Sequence, residues 1–363
     1  MRYSLTAIIA LLVLTPLSGC IGGSEQSQEV FQPENQKELR LAISVWAENP
    51  DMYNTTYGEI QTWDTSLITN MSGVFAYVRF SNIEFDCDLS GWDVSGVTNM
   101  SWMFLETGRF NCDLSGWDVS RVTDMAGMFE FATDFDQNLS NWDVSNVTNM
   151  RYMFYRAHYF NQSISNWDVS NVTNMAHMFD NAENFNQDIS QWDVSNVKNM
   201  NEMFDNSYSF NQDISGWNVS NVENMQKMFD NAESFNQNIS QWDVSNVTDM
   251  SEMFSDAHSF NQDVSQWDVS SVIDMRGMFR EAASFNQNIS QWDVSNVTDM
   301  REMFEDAASF NQDISNWELA PVLTMNYMFD DADDLSNENR CKIHTSFHSN
   351  DYWFYDWEQY CND

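Results

Sequence analysis

The chain has 363 residues, and its 55 acidic residues outnumber its 15 basic residues, which gives a formal net charge of -40. This charge argues against nucleic acid as a partner, because the phosphates would be repelled. It keeps a protein soluble but strains its compact state through self-repulsion. Only four of the basic residues are lysines. We expect such a composition either in a protein adapted to high salt or in a surface that holds cations.

The first residues are predicted to be a targeting segment. Arg2 supplies a positive charge, an apolar run covers residues 8–14, and the motif "LSGC" closes the segment at Cys20. The run is too short to span a bilayer and is typical of a signal peptide. The motif resembles a prokaryotic lipobox, which implies removal of residues 1–19 and lipid attachment to Cys20; ordinary signal cleavage is the alternative. Residues 20–36 are polar and aperiodic, which predicts a flexible tether.

The rest of the chain is dominated by a repeat. Tryptophan recurs ten times at a spacing of 25 residues, from Trp92 to Trp317. Strict self-similarity at this period is typical of a solenoid, in which units too small to bury their own apolar face stack and share one core. We therefore predict about eleven repeats over residues 63–335, an N-terminal cap over 37–62 and a C-terminal cap over 336–363.

Two periodicities occur inside each unit. In "ISQWDVSNV" (residues 239–247), Trp242 and Val244 alternate with Asp243, which predicts a short strand with the apolar side chains inward. Four apolar residues between positions 250 and 257 then follow the i, i+3, i+4, i+7 spacing of one helix face. The predicted fold is an α/β repeat solenoid, a right-handed coil of short parallel strands and short helices that is similar to a leucine-rich repeat and capped at both ends.

The repeat "FNQxISxWDVSNVTNMxxMF" and the opening unit "YGEIQTWDTSLITNMSGVF" (residues 57–75) resemble the BspA-like leucine-rich-repeat surface proteins, a family of unknown function common in mycoplasma lipoproteins. The resemblance covers roughly residues 37–335. It implies a surface location and a binding or adhesion role with ligands that vary among members. With the lipobox, it leads us to expect a lipid-anchored, extracellular protein of the cell surface that touches the membrane only through its anchor.

Catalysis is not indicated by any motif. None of the five histidines follows a nucleophile motif, and there is no glycine-rich phosphate loop. Repeated carboxylates could pair for glycoside hydrolysis, but a repeated aspartate is a scaffold feature first. We therefore predict that the chain is not an enzyme, that it has no catalytic residue and that it needs no cofactor, with calcium as the alternative.

The aspartate after most of the tryptophans would form a column on the exposed face, with neighbours about 4.8 Å apart. Repulsion between these carboxylates could be offset by bound cations, by raised pKa values or by hydrogen bonds from neighbouring serines. Calcium takes oxygen ligands from several carboxylates, so a calcium site is one interpretation and a hydrated acidic face is the other. The column comprises Asp93, Asp118, Asp143, Asp168, Asp193, Asp243, Asp268 and Asp293.

The cysteines support the stacking independently. Cys87 and Cys112 are 25 residues apart and would lie on adjacent rungs, at a separation that suits a disulfide. Cys341 and Cys361 are predicted to form a second disulfide in the C-terminal cap. The alternative is a zinc site formed by Cys341, by the two histidines at positions i+3 and i+7, and by Cys361 beyond them. With Cys20 lipidated no thiol is left over, as an extracellular compartment favours.

Binding is inferred from the positions where the repeat varies. Late units carry mostly Asp, Glu, Asn and Ser there, as in "FDNAES", whereas an early unit reads "RYMFYRAHYF" (residues 151–160). Exposed Tyr, Trp and Arg dominate binding hot spots, and aromatic faces stack on sugar rings. The predicted partner-binding residues are Trp102, Phe131, Arg151, Tyr152, Tyr155, Arg156, His158 and Tyr159. The alternative is local packing against the N-terminal cap or the tether.

These observations predict a non-catalytic binding or adhesion module at the cell surface, with an extracellular protein or a glycan as its partner. The alternative from a different class is a structural envelope protein. Its acidic face would then organise divalent cations or neighbouring copies of the chain through self-association.

Overall fold

The computed structural model describes residues 30–48, 57–78, 88–319 and 322–361. The predicted signal peptide, the lipid attachment at Cys20 and the predicted disulfide partner Cys87 lie outside these residues. None of the helices in the described ranges has the length and apolarity that crossing a bilayer requires.

Each 25-residue unit forms one rung, and the rungs stack in parallel. One β-bridge per rung joins successive units seven residues after the tryptophan, from the pair Asn70–Asn99 to the pair Asp299–Thr324. The strands predicted around the tryptophans do not form among the described residues, where the ladder consists of isolated bridges. The reason is that each tryptophan lies between tight turns: the N–H of Trp117, for example, donates to the carbonyl of Leu114.

The predicted helical segment is also different, because residues 250–257 form successive turns. The N–H groups of Met250 and Glu252 donate to carbonyls of the next rung, at 3.0 and 2.7 Å, whereas the N–H of Met253 closes a turn onto Met250. An α-helix would use every N–H internally. Here alternate N–H groups bind the neighbouring rung, so the prediction of short helices in the repeat is wrong.

The core runs the length of the stack as columns of identical side chains. Phe104 and Phe129 stack with ring centroids 5.5 Å apart and planes 5° from parallel. Each indole of the repeat, from Trp92 to Trp317, also donates a hydrogen bond to the previous rung, as Trp217 Nε1 does to the carbonyl oxygen of Ile189 at 3.1 Å. The methionine columns are fully buried. They are core and not a methionine-rich binding surface, and their burial, like that of the rings, stabilises the stack.

A column of asparagines lies at one corner of the rungs. Asn186 Oδ1 accepts hydrogen bonds from the backbone N–H of Asn211 at 3.0 Å and from Gln212 Nε2 at 2.8 Å. The acceptance of a backbone N–H from the next rung recurs from Asn111 to Asn311, with Asp136 in the place of one asparagine. These side chains satisfy backbone groups that no bridge or turn would reach.

Helices close both ends of the stack. Helix α1 (Gln36–Glu48) buries Leu39, Ala42, Ile43 and Trp46 against the first rungs. Helix α2 (Asn337–Phe347) begins at the N-cap Ser336, whose hydroxyl accepts from the N–H of Asn339, and it buries Ile343 and Phe347. Two short 3₁₀ helices, Ile60–Thr62 and Glu358–Cys361, accompany these caps.

The predicted Cys341–Cys361 disulfide is present and joins α2 to the final 3₁₀ helix, with the Cα atoms 4.9 Å apart. It occupies the sulfur that the alternative zinc site would need. Cys112 is also disulfide-bonded, while its predicted partner Cys87 lies outside the described residues.

Replacing both Cys341 and Cys361 by serine is expected to lower the free energy of unfolding by about 3 kcal/mol. The reason is that the unfolded chain loses a crosslink between residues separated by 20 positions in the sequence. Hydrogen exchange would then accelerate at Ile343 and Phe347 of α2. Central rungs provide the internal control and should keep their protection. Unchanged exchange in α2 would contradict a stabilising role for the disulfide.

Candidate binding surface

Two columns of left-handed residues line one flank of the stack. They lie 10 and 14 positions after each tryptophan, and their non-glycine members have φ between 53° and 65°, as in Tyr152 (60°) and Arg156 (57°). This backbone region is uncommon for residues other than glycine. It arises because each turn of the segment reverses the chain, and it directs the variable side chains away from the core.

Five of the predicted binding residues meet on this flank. The guanidinium of Arg156 lies 5.1 Å from the ring centre of Phe131 and 5.4 Å from that of Tyr155. The rings of Phe131 and Tyr155 meet edge to face at 5.2 Å, and Tyr152 contacts Tyr155 at 5.6 Å. Arg151 completes the group, 4.8 Å from the ring centre of Tyr152. Cation–π contacts of this kind stabilise both partners.

Trp102 extends the group toward the N-terminal end. It is 39% exposed and lies over Gly127, where a Cβ atom would come within 2.4 Å of the indole Cδ1. Gly127 also has φ of +58°. Both this backbone conformation and the clash with the indole therefore favour glycine at this position. Burial raises the pKa of the adjacent Glu130, against hydrogen bonding from Trp102 and the charge of Arg151. We call Trp102, Phe131, Arg151, Tyr152, Tyr155 and Arg156 the aromatic patch.

The other two predicted residues lie further along the rung. His158 Nδ1 is 3.5 Å from Glu183 Oε1, and the backbone N–H of Tyr159 donates to the carbonyl of Thr133. Tyr159 is exposed. We therefore treat both residues separately from the aromatic patch. The N-terminal cap contacts the same flank at the first rung, where Gln36 Nε2 donates to Ser72 Oγ at 2.9 Å.

Beyond Tyr152 the same flank becomes charged, which the sequence analysis missed. The imidazole of His177 stacks on Tyr152 at 4.3 Å, and its Nδ1 lies 2.9 Å from Asp180 Oδ2 and 3.1 Å from Glu202 Oε2. Burial alone would lower the pKa of His177, but the hydrogen bonds to these carboxylates outweigh it and raise the pKa to about 9. In the sequence, this charged cluster is indicated by the change from Tyr152 to His177 and Glu202 at the position ten residues after each tryptophan.

A buried row of carboxylates continues this flank. Asp180, Asp205 and Asp230 are each at least nine-tenths buried and lie on consecutive rungs. Lys227 Nζ bridges Asp230 and Glu252 at 2.9 and 2.7 Å. Burial, together with the charges of Asp230 and Asp180, raises the pKa of Asp205 to about 8.

The exposed aspartate column is stabilised by its serines. Asp118 Oδ1 accepts from the N–H of Ser120 at 3.1 Å and from its hydroxyl at 2.6 Å. These bonds lower the pKa of Asp118, and equivalent bonds lower the pKa of Asp193, Asp243 and Asp293. Serine hydrogen bonding is thus confirmed for these residues and raised pKa values are wrong for them. Calcium binding to the column stays a prediction.

A family profile described as "Mycoplasma protein of unknown function, DUF285" matches residues 48–167, 132–242, 158–266 and 229–344. The chain belongs to the DUF285 family. The four overlapping matches agree with the stacked rungs and identify this DUF285 chain as a repeat protein. No curated protein and no solved structure matches it.

Proposed function

We propose that this DUF285 protein is a non-catalytic binding module whose aromatic patch engages an extracellular protein or glycan. The observation that supports the proposal is the convergence of aromatic rings and two guanidinium groups on one flank of a stack that is otherwise strongly acidic. Tyr, Trp and Arg are the residue types that carry most binding energy at interfaces.

The side chains of the aromatic patch are held before any partner arrives. Tyr152 and Tyr155 are half-buried and touch each other, while Arg156 is exposed above two rings. Rings and guanidinium groups fixed in this way lose little conformational entropy on binding. The backbone beneath them is fixed by hydrogen bonds to the next rung, such as that from the N–H of Tyr152 to the carbonyl of Ala176 at 2.9 Å.

The positive charges of the aromatic patch indicate which chemical groups a partner should carry. Arg151 and Arg156 place two positive groups beside the rings, in a chain with a formal net charge of -40. A partner that offers an acidic group to the arginines and an apolar face to the rings would complement both features. Acidic sugars and acidic peptides with an aromatic residue share this chemistry.

The cell-surface location is part of the proposal. It is supported by the lipobox-like motif ending at Cys20, by the Cys341–Cys361 disulfide, which suits an oxidising compartment, and by the resemblance to BspA-like leucine-rich-repeat surface proteins. In this arrangement the tether after Cys20 would end before Phe31, whose ring packs on Trp63 at 5.0 Å, and would hold the stack at the membrane with its flanks accessible.

Replacing Tyr152, Tyr155 and Arg156 together by alanine is expected to weaken partner binding at least about 100-fold, since each belongs to a class that often contributes more than 2 kcal/mol. Binding is measured by interferometry against immobilised acidic and neutral oligosaccharides and acidic peptides. The melting temperature should change by only a few degrees, because the buried core columns are untouched.

Tyr208→Ala is the matched control, because Tyr208 is an exposed tyrosine on a later rung outside the aromatic patch. It should bind as the unchanged protein does. If the triple variant retained full binding while the control lost it, the aromatic patch would not be the binding surface.

A further inference from the structure

The geometry points to a divalent transition-metal site, suited to zinc, formed by His177, Asp180 and Glu202. Two ligands come from one rung and the third from the next. The atoms that could bind a metal lie within 4.8 Å of one another. This site adjoins the aromatic patch, because Tyr152 stacks on His177, but metal binding to it does not require the proposed partner.

The distances already approach those of a zinc site. Zinc binds imidazole nitrogen and carboxylate oxygen at about 2.0–2.2 Å in a tetrahedral arrangement, which places neighbouring ligand atoms about 3.3 Å apart. His177 Nδ1 is 2.9 Å from Asp180 Oδ2 and 3.1 Å from Glu202 Oε2. Opening the group by a few tenths of an ångström would admit the ion.

The groups around the three ligands fit the same interpretation. Metal-binding histidines and carboxylates are usually oriented by hydrogen bonds to the ring nitrogen or the carboxylate oxygen that does not bind the metal. The other ring nitrogen of His177 lies 3.1 Å from Asn201 Nδ2; with a metal on Nδ1 this ring nitrogen carries the proton, so the Asn201 amide would turn its oxygen toward the ring to accept it. Asp180 Oδ1 accepts from Asn181 Nδ2 at 2.6 Å. Tyr152 stacks on the imidazole and fixes the plane of the ring.

A row of buried carboxyl groups lies next to the site. Asp205, on the rung after Asp180, is 92% buried because its exposed fraction is 8%. Among the described residues no ion pair joins Asp205 to a cationic side chain; burial and the charges of Asp230, Asp180 and Glu202 raise its pKa, and the nearby charge of Lys227 opposes them. A divalent ion at His177 would supply two positive charges to this buried acidic row.

The next equivalent cluster shows how this flank accommodates a cation. Lys227 occupies the column position of His177, and its ammonium lies between Asp230 and Glu252. A lysine must supply the positive charge itself, whereas a neutral imidazole can share a metal with the carboxylates.

The ligand types indicate which metal would bind. A calcium site is made of oxygen ligands and would not use the imidazole, so one imidazole and two carboxylates favour zinc and its neighbours in the transition series. The partial exposure of Glu202 leaves the remaining coordination position open to water.

The test is titration of the purified, chelator-treated full chain with ZnCl₂ by calorimetry, and with CoCl₂ by visible absorption. We expect one zinc equivalent with a micromolar or tighter Kd and a cobalt spectrum of tetrahedral intensity. His177→Asn should weaken zinc binding at least tenfold and abolish that spectrum. Glu202→Gln provides a second variant at a more exposed ligand, in case the first alters folding, and circular dichroism checks both.

His258→Asn is the matched control, because His258 lies with Asp256 and Glu281 in a more exposed group of the same residue types. It should leave the Kd of the site unchanged. Lys227→His should add a second zinc equivalent. Zinc affinity and cobalt spectra that survive both His177→Asn and Glu202→Gln, or the absence of any binding below 1 mM, would overturn the proposal.

Discussion

Phe204→Ala is expected to destabilise the protein by about 3–5 kcal/mol, the range for removing a fully buried phenylalanine. Phe204 is completely buried. Its ring stacks between Phe179 and Phe229 at 5.7 Å on each side and contacts Phe210 at 3.9 Å. Because hydrogen bonds hold the rungs above and below, the cavity cannot collapse easily.

The position of Phe204 in the middle of the stack adds a second effect. In a repeat protein each unit is stabilised by its two neighbours, so a defect in a central rung weakens the coupling between the two halves. Urea unfolding followed by tryptophan fluorescence should therefore broaden or split into two transitions. Phe204→Leu keeps most of the volume and should cost less. A single sharp transition with a loss below 1 kcal/mol would show that the columns are not the main source of stability.

Asp205→Asn is expected to stabilise the protein at neutral and alkaline pH. The folded state raises the pKa of Asp205 to about 8 from an ordinary value of 3.8, so the folded chain binds a proton that the unfolded chain has released. The stability that this group supports is fully present below pH 4 and is lost as the pH rises through 8. An amide avoids the buried charge and can still accept the hydrogen bond from Asn206.

The gain from Asp205→Asn should be small near pH 4 and reach a few kcal/mol by pH 9, since each pKa unit corresponds to 1.36 kcal/mol. Melting temperatures in EDTA between these pH values measure it. Asp193→Asn is the control: Asp193 is exposed, and Asn218 accepts the same serine hydrogen bonds in the same column. A gain independent of pH would contradict a buried, protonated carboxyl group at Asp205.

The period of 25 residues was enough to predict the stacking and the core, because a strictly repeated apolar residue can be buried only beside its own copies. The backbone was harder to predict. The spacing of Met250, Met253, Phe254 and Ala257 fits a helix, but three overlapping i→i+3 turns between residues 250 and 257 return the same side chains to the core. Glycines such as Gly127 and Gly277, which are unfavourable inside a helix, were the signal of the left-handed column.

The aromatic patch could be found from the sequence because most of its residues are close together in one unit. The cluster at His177 was not predicted, although Tyr152, His177 and Glu202 are 25 residues apart and so share one column. Their meeting depends on the turn geometry, which the apolar pattern does not specify. Gly127 was missed for the same reason, since its contact with Trp102 crosses from one rung to the next.

Because the rungs are nearly identical in sequence and structure, such chains can change length during evolution. Recombination within the repeated stretch of the gene would add or remove 25 residues at a time, and the new junction would join surfaces that already fit. Each event would leave both end caps intact and move the aromatic patch by about 5 Å relative to the C-terminal end. The length of the stack can therefore change by whole rungs during evolution, while the core pattern, the end caps and the binding residues stay unchanged.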